Sequence, residues 1–330
     1  MTALAGTFLS SSAKGNREEL SDVVSRITPE DTPIYSMAGK ESASAVYPEW
    51  EIDALAAPAS NAYPEGDEYG YDSSSPVTRV GNYTQIMRKT WIVSNTQEAV
   101  DNAGRAEKIK NLRLKRGIEI RKDTELAIVT NTASVGTGTR LMGGLPSWIT
   151  SNVSRGATGA NGGFNSGTKL TVAETTGTQR AFTKALLDTT MQSAYQSGAS
   201  LKYLVVSPYV KSVFVTFMSD ANVASFRYAA GDGGRNTVVA TADIYEGPFG
   251  KVSVVPNRVM ATSAAVARRA FLLDPDMIAI KQLRKIQDDK SIASTGDATK
   301  GVIIGEHTLA VKNEAGLGVI ADVFGLTAST

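Results

Sequence analysis

Residues 95–131 read NTQEAVDNAGRAEKIKNLRLKRGIEIRKDTELAIVTN, and the folding of this stretch decides the architecture. It contains no proline, and Gly104 and Gly117 are its only glycines. The composition predicts one helix of roughly 55 Å at ~1.5 Å per residue, far longer than the globular average. Its charge is lopsided: within residues 105–122, Arg105, Lys108, Lys110, Arg113, Lys115, Arg116, Arg121 and Lys122 face only Glu107 and Glu119. Upstream, residues 41–78 hold Glu41, Glu49, Glu51, Asp53, Glu65, Asp67, Glu68 and Asp72 with no lysine or arginine. A basic rod and an acidic arm in one chain point to self-association.

The whole chain sets looser bounds. Its 330 residues, 42% hydrophobic and 20% charged, are enough for one large core or two modest ones. The formal net charge of +1 conceals the segregation just described. The absence of cysteine excludes disulfides, thiolate zinc sites and cysteine nucleophiles, and it fits assembly in a reducing cytoplasm. A single histidine leaves little for metal or acid–base chemistry. Residues 1–14 lack the basic and apolar regions of a secretion signal, and no apolar run approaches the ~20 residues needed to span a bilayer.

Along the chain, residues 1–33 read as an irregular arm with one short helix over 17–27, ending at the turn-like Thr28-Pro29-Glu30-Asp31-Thr32-Pro33. Residues 46–55 alternate Trp50 and Ile52 with Glu49, Glu51 and Asp53, the period of a strand. A second extended stretch, residues 79–93, alternates Tyr83, Met87, Trp91 and Val93 with Thr84, Ile86 and Arg88. Paired across the Pro-, Gly-, Tyr- and acid-rich residues 58–76, the two would make a long hairpin. Such a ribbon is marginal in water by itself and is expected to rest on another subunit.

After the basic stretch, residues 133–178 are glycine-rich and polar apart from Leu145-Pro146-Ser147-Trp148-Ile149, and read as a long loop. Phe182, Leu186, Leu187, Met191, Ala194 and Tyr195 then recur at helical spacing before Gly198. Residues 201–206 form a strand, and Ser207-Pro208 opens a helix with Val210, Val213, Phe214 and Phe217 inward. The glycines in residues 226–236 mark an exposed tip. Further strands are expected at 252–255, 270–273, 277–283, 302–304, 308–312 and 319–323. Helices and strands mix without a regular βα repeat, which predicts an α+β fold.

No chemistry emerges. Residues 162–169 imitate a phosphate-binding loop but reverse its final lysine and hydroxyl residue, and the expected account is a plain loop. Ser11 and Lys14 have an S-x-x-K spacing without its companion motifs. His307 beside Glu306 lacks enough partner ligands for a metal, and Asp274 and Asp276 around Pro275 read as a turn. No catalytic residue, cofactor or metal site is expected.

Several phrases carry a resemblance: Gly15-Asn16-Arg17-Glu18-Glu19-Leu20-Ser21-Asp22 with the Thr28 to Pro33 turn, Arg79-Val80-Gly81-Asn82-Tyr83-Thr84-Gln85, Gln97-Glu98-Ala99-Val100, Gly144-Leu145-Pro146, and Thr308-Leu309-Ala310-Val311-Lys312-Asn313-Glu314. With the order arm, acidic hairpin, basic helix and compact α+β region, the chain resembles the major capsid proteins of tailed double-stranded DNA phages, with the Hong Kong 97-type fold. The resemblance implies an N-terminal arm over 1–45, an extended loop over 46–93 that overlies a neighbouring subunit, and a peripheral domain over 94–177 with residues 95–131 as its spine helix. It further implies an axial domain over 178–262, with Gly231, Asp232, Gly233 and Gly234 at the capsomer axis, and returning strands over 263–330.

On that resemblance the chain would assemble with itself as pentamers and hexamers into an icosahedral head around non-specifically held double-stranded DNA. A separate scaffold, a portal and an optional decoration protein would be its partners, and no membrane. The inter-subunit contact would join Glu49, Glu51, Asp53, Glu65, Asp67, Glu68 and Asp72 to the basic helix. Self-crosslinking is not carried over, because its lysine, asparagine and glutamate are not matched. The rivals are an encapsulin-like nanocompartment shell and a nucleic-acid-binding module using the basic helix.

Overall fold

A computed structural model describes residues 27–71, 76–100, 108–215, 243–289, 291–293 and 296–325. In chain order the described strands are β1 (Gly39–Ser42), β2 (Glu49–Ile52), β3 (Thr78–Gly81), β4 (Gln85–Ser94), β5 (Val153–Ser154), β6 (Gly163–Asn165), β7 (Leu170–Val172), β8 (Arg180–Ala181), β9 (Tyr203–Val206), β10 (Ile244–Gly247), β11 (Gly250–Pro256), β12 (Ala270–Leu273), β13 (Ile278–Asp288), β14 (Ala298–Val311), β15 (Gly318–Ile320) and β16 (Val323–Gly325). The described α-helices are α1 (Pro33–Met37), α2 (Asn95–Ala99), α3 (Lys108–Val129), α4 (Lys184–Gln196), α5 (Pro208–Val215) and α6 (Ala264–Ala267).

A four-stranded sheet in the order β1-β13-β14-β4 carries α3 on one face. On α3 the buried positions are Ile120, Thr124, Glu125, Ile128 and Val129, a stripe at i, i+4 and i+8 confined to its last three turns. Of these, Ile120, Ile128 and Val129 share one core with Met87 of β4, Ile280 of β13, and Leu309 and Val311 of β14. The first half of α3 has no fully buried residue, so the helix is anchored at its C-terminal end and solvated at the other.

A six-stranded sheet in the order β10-β11-β9-β12-β15-β5 forms the other half of the fold. Strands β9 and β12 are buried on both faces, which is why they read as continuous apolar runs. Alternate residues separate accordingly: Val205, Phe271 and Leu273 join the core under α3, while Leu204, Val206, Ala270 and Leu272 pack against Phe182, Leu187 and Met191 beside α4 and Phe214 of α5. Ser207 caps α5 as its sequence implies, its Oγ accepting from Val210 N at 3.3 Å.

Three expectations need correction. The helix over 95–131 is not continuous: Ser94 caps α2 by accepting from Gln97 N, and Val100 is extended at φ −78°, ψ 135°. Asp101 and Asn102 follow, residue types whose side chains compete with helical hydrogen bonds. Nor do residues 79–93 form one strand. Asn82 interrupts it, its amide donating to Gly143 O and Leu309 O and accepting from Gly143 N. Only β3 therefore pairs with β2, from Glu49↔Gly81 to Ile52↔Thr78, while β4 joins β14 over ten residue pairs.

Residues 133–178, read as a long loop, are fixed against the body. Leu145, Trp148 and Ile149 are in the main core at 0–2% exposure. Asn131 holds the backbone of Glu174 by two hydrogen bonds, and the Glu174 carboxylate pairs with Arg269 and Arg155 out of solvent. Smaller shifts follow from continuity: the segments read at 302–304 and 308–312 are one strand, β14, and β10 was not anticipated. The helix read over 17–27, and Gly231 to Gly234, lie outside the described residues, apart from Ile27.

Candidate assembly surface

The β2–β3 hairpin is tied to the body at its base. Trp50 Nε1 donates to Val311 O at 2.9 Å, and its ring lies 5.6 Å from that of Trp148 and under Lys281. Tyr47 packs on Tyr83 and donates to Lys169 O. Beyond Ile52 the support ends: every residue over 53–71 is exposed, including Leu55 at 98%, Tyr63 at 75%, Tyr69 at 90% and Tyr71 at 98%. Four such side chains exposed on one segment are more than a free monomer needs, and large exposed apolar side chains gathered in this way mark a candidate interaction site.

The acids divide in two along this hairpin. Glu49 pairs with Arg79 and Lys169, and Glu51 with Arg79, so the basal acids are balanced within the chain. Asp53 turns back to its neighbour's amide, Ala54 N, at 2.9 Å. Glu65, Asp67 and Glu68 are different: they sit around a turn in which Asp67 N donates to Pro64 O and Gly66 takes φ +87°, and they form no ion pair among the described residues. Asp72 lies outside the described residues.

The basic residues of α3 divide likewise. Arg113 Nε bonds Asp288 Oδ2 at 2.9 Å, and Arg116 pairs with Glu119 one turn on at 2.6 Å. Lys115 and Lys122 border a hollow of about 200 Å³ against residues 28–30. Lys108 and Lys110 occupy the solvated first turn, and Arg105 lies outside the described residues. Arg121 lines a groove of about 370 Å³ between α3 and β13, with Tyr35, Gly117, Gln282, Lys285 and the Arg113–Asp288 pair around it.

Buried polar groups hold the groove in shape. Glu125, at 0% exposure, accepts from Ile34 N at 3.0 Å, Tyr35 N at 2.7 Å and Asn257 Nδ2 at 2.6 Å, so α3 caps α1 and thereby sets Tyr35 beside the groove. Burial pushes the Glu125 carboxyl above the usual range, against the pull of those three hydrogen bonds. Lys40 donates to Ala38 O and stands 3.9 Å over the Tyr35 ring. Neither Glu125 nor Lys285 was singled out in the sequence. Glu125 follows an apolar period only by interrupting it, and Lys285 becomes relevant only because β13 crosses α3.

The remaining sequence candidates are structural. His307 is 1% exposed on β14 and its Nε2 lies 3.0 Å from Thr124 Oγ1. Since that hydroxyl donates to Ile120 O, the ring nitrogen is the donor. Burial, then the Lys40 charge, lowers its pKa to about 4. Residues 162–169 form the β6–β7 hairpin, whose turn amides at Gly167 and Thr168 bond Asn165 Oδ1. Asp274 accepts from Asp276 N in a tight turn, and Lys202 bridges both carboxylates. Ser11 and Lys14 lie outside the described residues. Among the described residues no helix is long and apolar enough to cross a membrane.

Comparison with known proteins bears on the family and the fold. A family model described as SU10 major capsid protein matches residues 6–324. The major capsid protein of Escherichia phage Phieco32 is 34% identical over 127 residues, so the matched stretch spans 38% of this chain and 36% of that relative. Among solved structures, the Cyanophage A-1(L) capsid asymmetric unit superposes with a TM-score of 0.65 at 11% identity, covering 96% of this chain and 98% of that one. A Mycobacterium phage Bobi structure gives 0.61 at 13% identity, and the capsid of a native GTA particle 0.57 at 12%, each covering 96% of this chain and 98% of the other. At such identities the likeness is one of fold, an α+β capsid fold of the Hong Kong 97 type.

Proposed function

The chain belongs to the SU10 major capsid protein family, and we propose that it builds a phage head by laying the exposed segment 53–71 of one copy over the body of the next. The observation that carries this is the uniform exposure of that segment with Leu55, Tyr63, Tyr69 and Tyr71 on it. Fully burying a side chain of this size contributes roughly 1.5–3 kcal/mol. Exposed ion pairs contribute about 0–1 kcal/mol each, so the apolar residues supply affinity, and the acids facing the basic spine helix supply register and partner choice. Each contact is weak, and repetition around pentamers and hexamers sums them into a stable icosahedral shell.

The role is structural, with no catalysis assigned. Enclosed double-stranded DNA, a separate scaffold, a portal and a decoration protein complete the proposal as partners. The family match favours a phage head over an encapsulin-like compartment. A free nucleic-acid-binding module fits less well, because Arg113 and Arg116 are committed to Asp288 and Glu119.

The test is deletion of residues 56–71, followed by sedimentation and electron microscopy. Folded subunits that no longer form shells are the expected result. Shells of normal yield and stability would overturn the inter-subunit role.

A further inference from the structure

We propose that the turn at residues 64–67 of one copy seats its carboxylates in the groove between α3 and β13 of a second copy, against Arg121 and Lys285. The inference rests on the inter-subunit reading above and names the receiving surface. It changes which cations matter. The sequence alone nominates the densest cluster, around Arg113, Lys115 and Arg116, but two of these already have carboxylate partners in their own chain. Arg121 and Lys285 line the groove and form no ion pair among the described residues, while Asp288, the acid that lines it, is held by Arg113. The groove therefore carries two uncompensated positive charges in a concave space of about 370 Å³.

Gly117 is the second observation. It sits within α3, where glycine is among the poorest helix formers, and a Cβ built on it would meet nothing within 4 Å. Nothing among the described residues requires a glycine there. The missing side chain leaves the groove open, which is what an entering group needs.

The occupant follows from charge and shape. The turn at 64–67 is closed by the Asp67 N to Pro64 O hydrogen bond and the positive φ of Gly66, so Glu65, Asp67 and Glu68 flank a narrow, ordered tip. The chain from Asp53 to Tyr63, if fully extended at ~3.3 Å per residue, spans up to roughly 35 Å beyond β2, far enough to reach another molecule. Among the described residues each copy thus holds three carboxylates at the tip and two cations in the groove without an ion-pair partner, and exchange between copies brings the two sets together. Nucleic acid phosphate would answer the cations but would leave the acidic tip uncovered.

The experiment fills the groove without disturbing the fold. Gly117→Ala and Gly117→Trp project into open space and are expected to unfold at or above the wild-type temperature. Gly117→Trp is expected to lower shell yield at least tenfold at equal subunit concentration, and Gly117→Ala to leave it within twofold. Arg121→Glu with Lys285→Glu should lower yield similarly, and adding Glu65→Lys and Asp67→Lys to the same chain should recover most of it. Wild-type shell yield from Gly117→Trp, or no recovery in the charge-swapped chain, overturns the inference. So does a Gly117→Trp subunit that assembles normally but loses binding to a short DNA duplex, which would assign the groove to phosphate. If the 56–71 deletion blocks assembly while Gly117→Trp does not, only the groove is wrong; if both assemble, the inter-subunit reading falls with it.

Discussion

Residues 53–71 and residues 133–178 have the same loop-like composition and opposite surroundings. In the second stretch, a Cβ on Gly144 would stand 2.1 Å from Thr130 O, because the backbone there is pressed against the end of α3. In the first, a Cβ on Gly66 or Gly70 would meet nothing within 4 Å. Trp148 is 2% exposed and stacks on Phe164 at 5.7 Å, whereas Tyr71 is 98% exposed. Glycine and polar residues therefore make a chain that follows a surface closely, and the surface followed can be its own or another molecule's. The comparison predicts that one set of substitutions damages folding and the other damages assembly.

The largest effect is expected at Trp148. Truncation to alanine removes the ring that joins Trp50 and Phe164 to the main core, and should destabilise the subunit by about 3–5 kcal/mol in chemical denaturation. A loss under 1 kcal/mol would mean that residues 133–178 are only loosely attached, and the contrast between the stretches would fail. Next comes Glu125→Ala, which leaves the Ile34 and Tyr35 amides and the Asn257 side chain without an acceptor in a dry site. Uncompensated burial of this kind costs about 1–3 kcal/mol per group, and an overall loss of about 3 kcal/mol, the lower end for three groups, is expected. Because Glu125 also sets Tyr35, shell yield should fall by more than stability alone explains.

A pH effect of intermediate size belongs to the well-packed side. His307 has its folded pKa lowered from 6.5 to about 4, so the unfolded chain binds the proton first as pH falls. The contribution is complete above pH 6.5 and is lost downward through pH 4, amounting to about 2 kcal/mol by pH 5. Glu125 acts in the opposite sense, its raised folded pKa favouring the native state below the unfolded value and losing that advantage as pH rises. Subtracting the profile of His307→Gln isolates the histidine: the difference should be flat above about pH 7.5 and shift by about 2 kcal/mol by pH 5. A constant difference across that range would show that the imidazole is already protonated or wet.

Legibility in the sequence followed the range of the interactions involved. Strand β12 and helices α4 and α5 were readable because their signals, a continuous apolar run and a helical period with Ser207 as cap, are local. The break after α2 was not read, because no proline or glycine marks it and its only local signal is the pair Asp101 and Asn102, residue types whose side chains compete with helical hydrogen bonds. The interruption at Asn82 was invisible because its amide is satisfied by Gly143 and Leu309, 61 and 227 residues away. The acidic and basic segments were evident as composition, but which charges are spent internally was not, since Arg113 meets Asp288 and Glu49 meets Lys169 only once the sheet is built. Lys285, a lone cation in β13, had no sequence pattern to raise it above its neighbours.

The smallest effect on the subunit, and the sharpest division between the two stretches, is expected at Tyr69. It is 90% exposed on a segment in which every residue is exposed, so Tyr69→Ala removes little packed surface and should change unfolding free energy by less than about 0.5 kcal/mol. Shell formation should respond differently, because the same substitution recurs at every contact and a modest loss at each one multiplies over the assembly. Measured together, an unchanged denaturation midpoint and a raised critical concentration for assembly would show that the aromatic strip serves the contact between copies. An unchanged critical concentration would leave the exposed tyrosines without a part in it, and affinity would then have to come from the carboxylates alone, which surface ion pairs of about 0–1 kcal/mol can hardly provide.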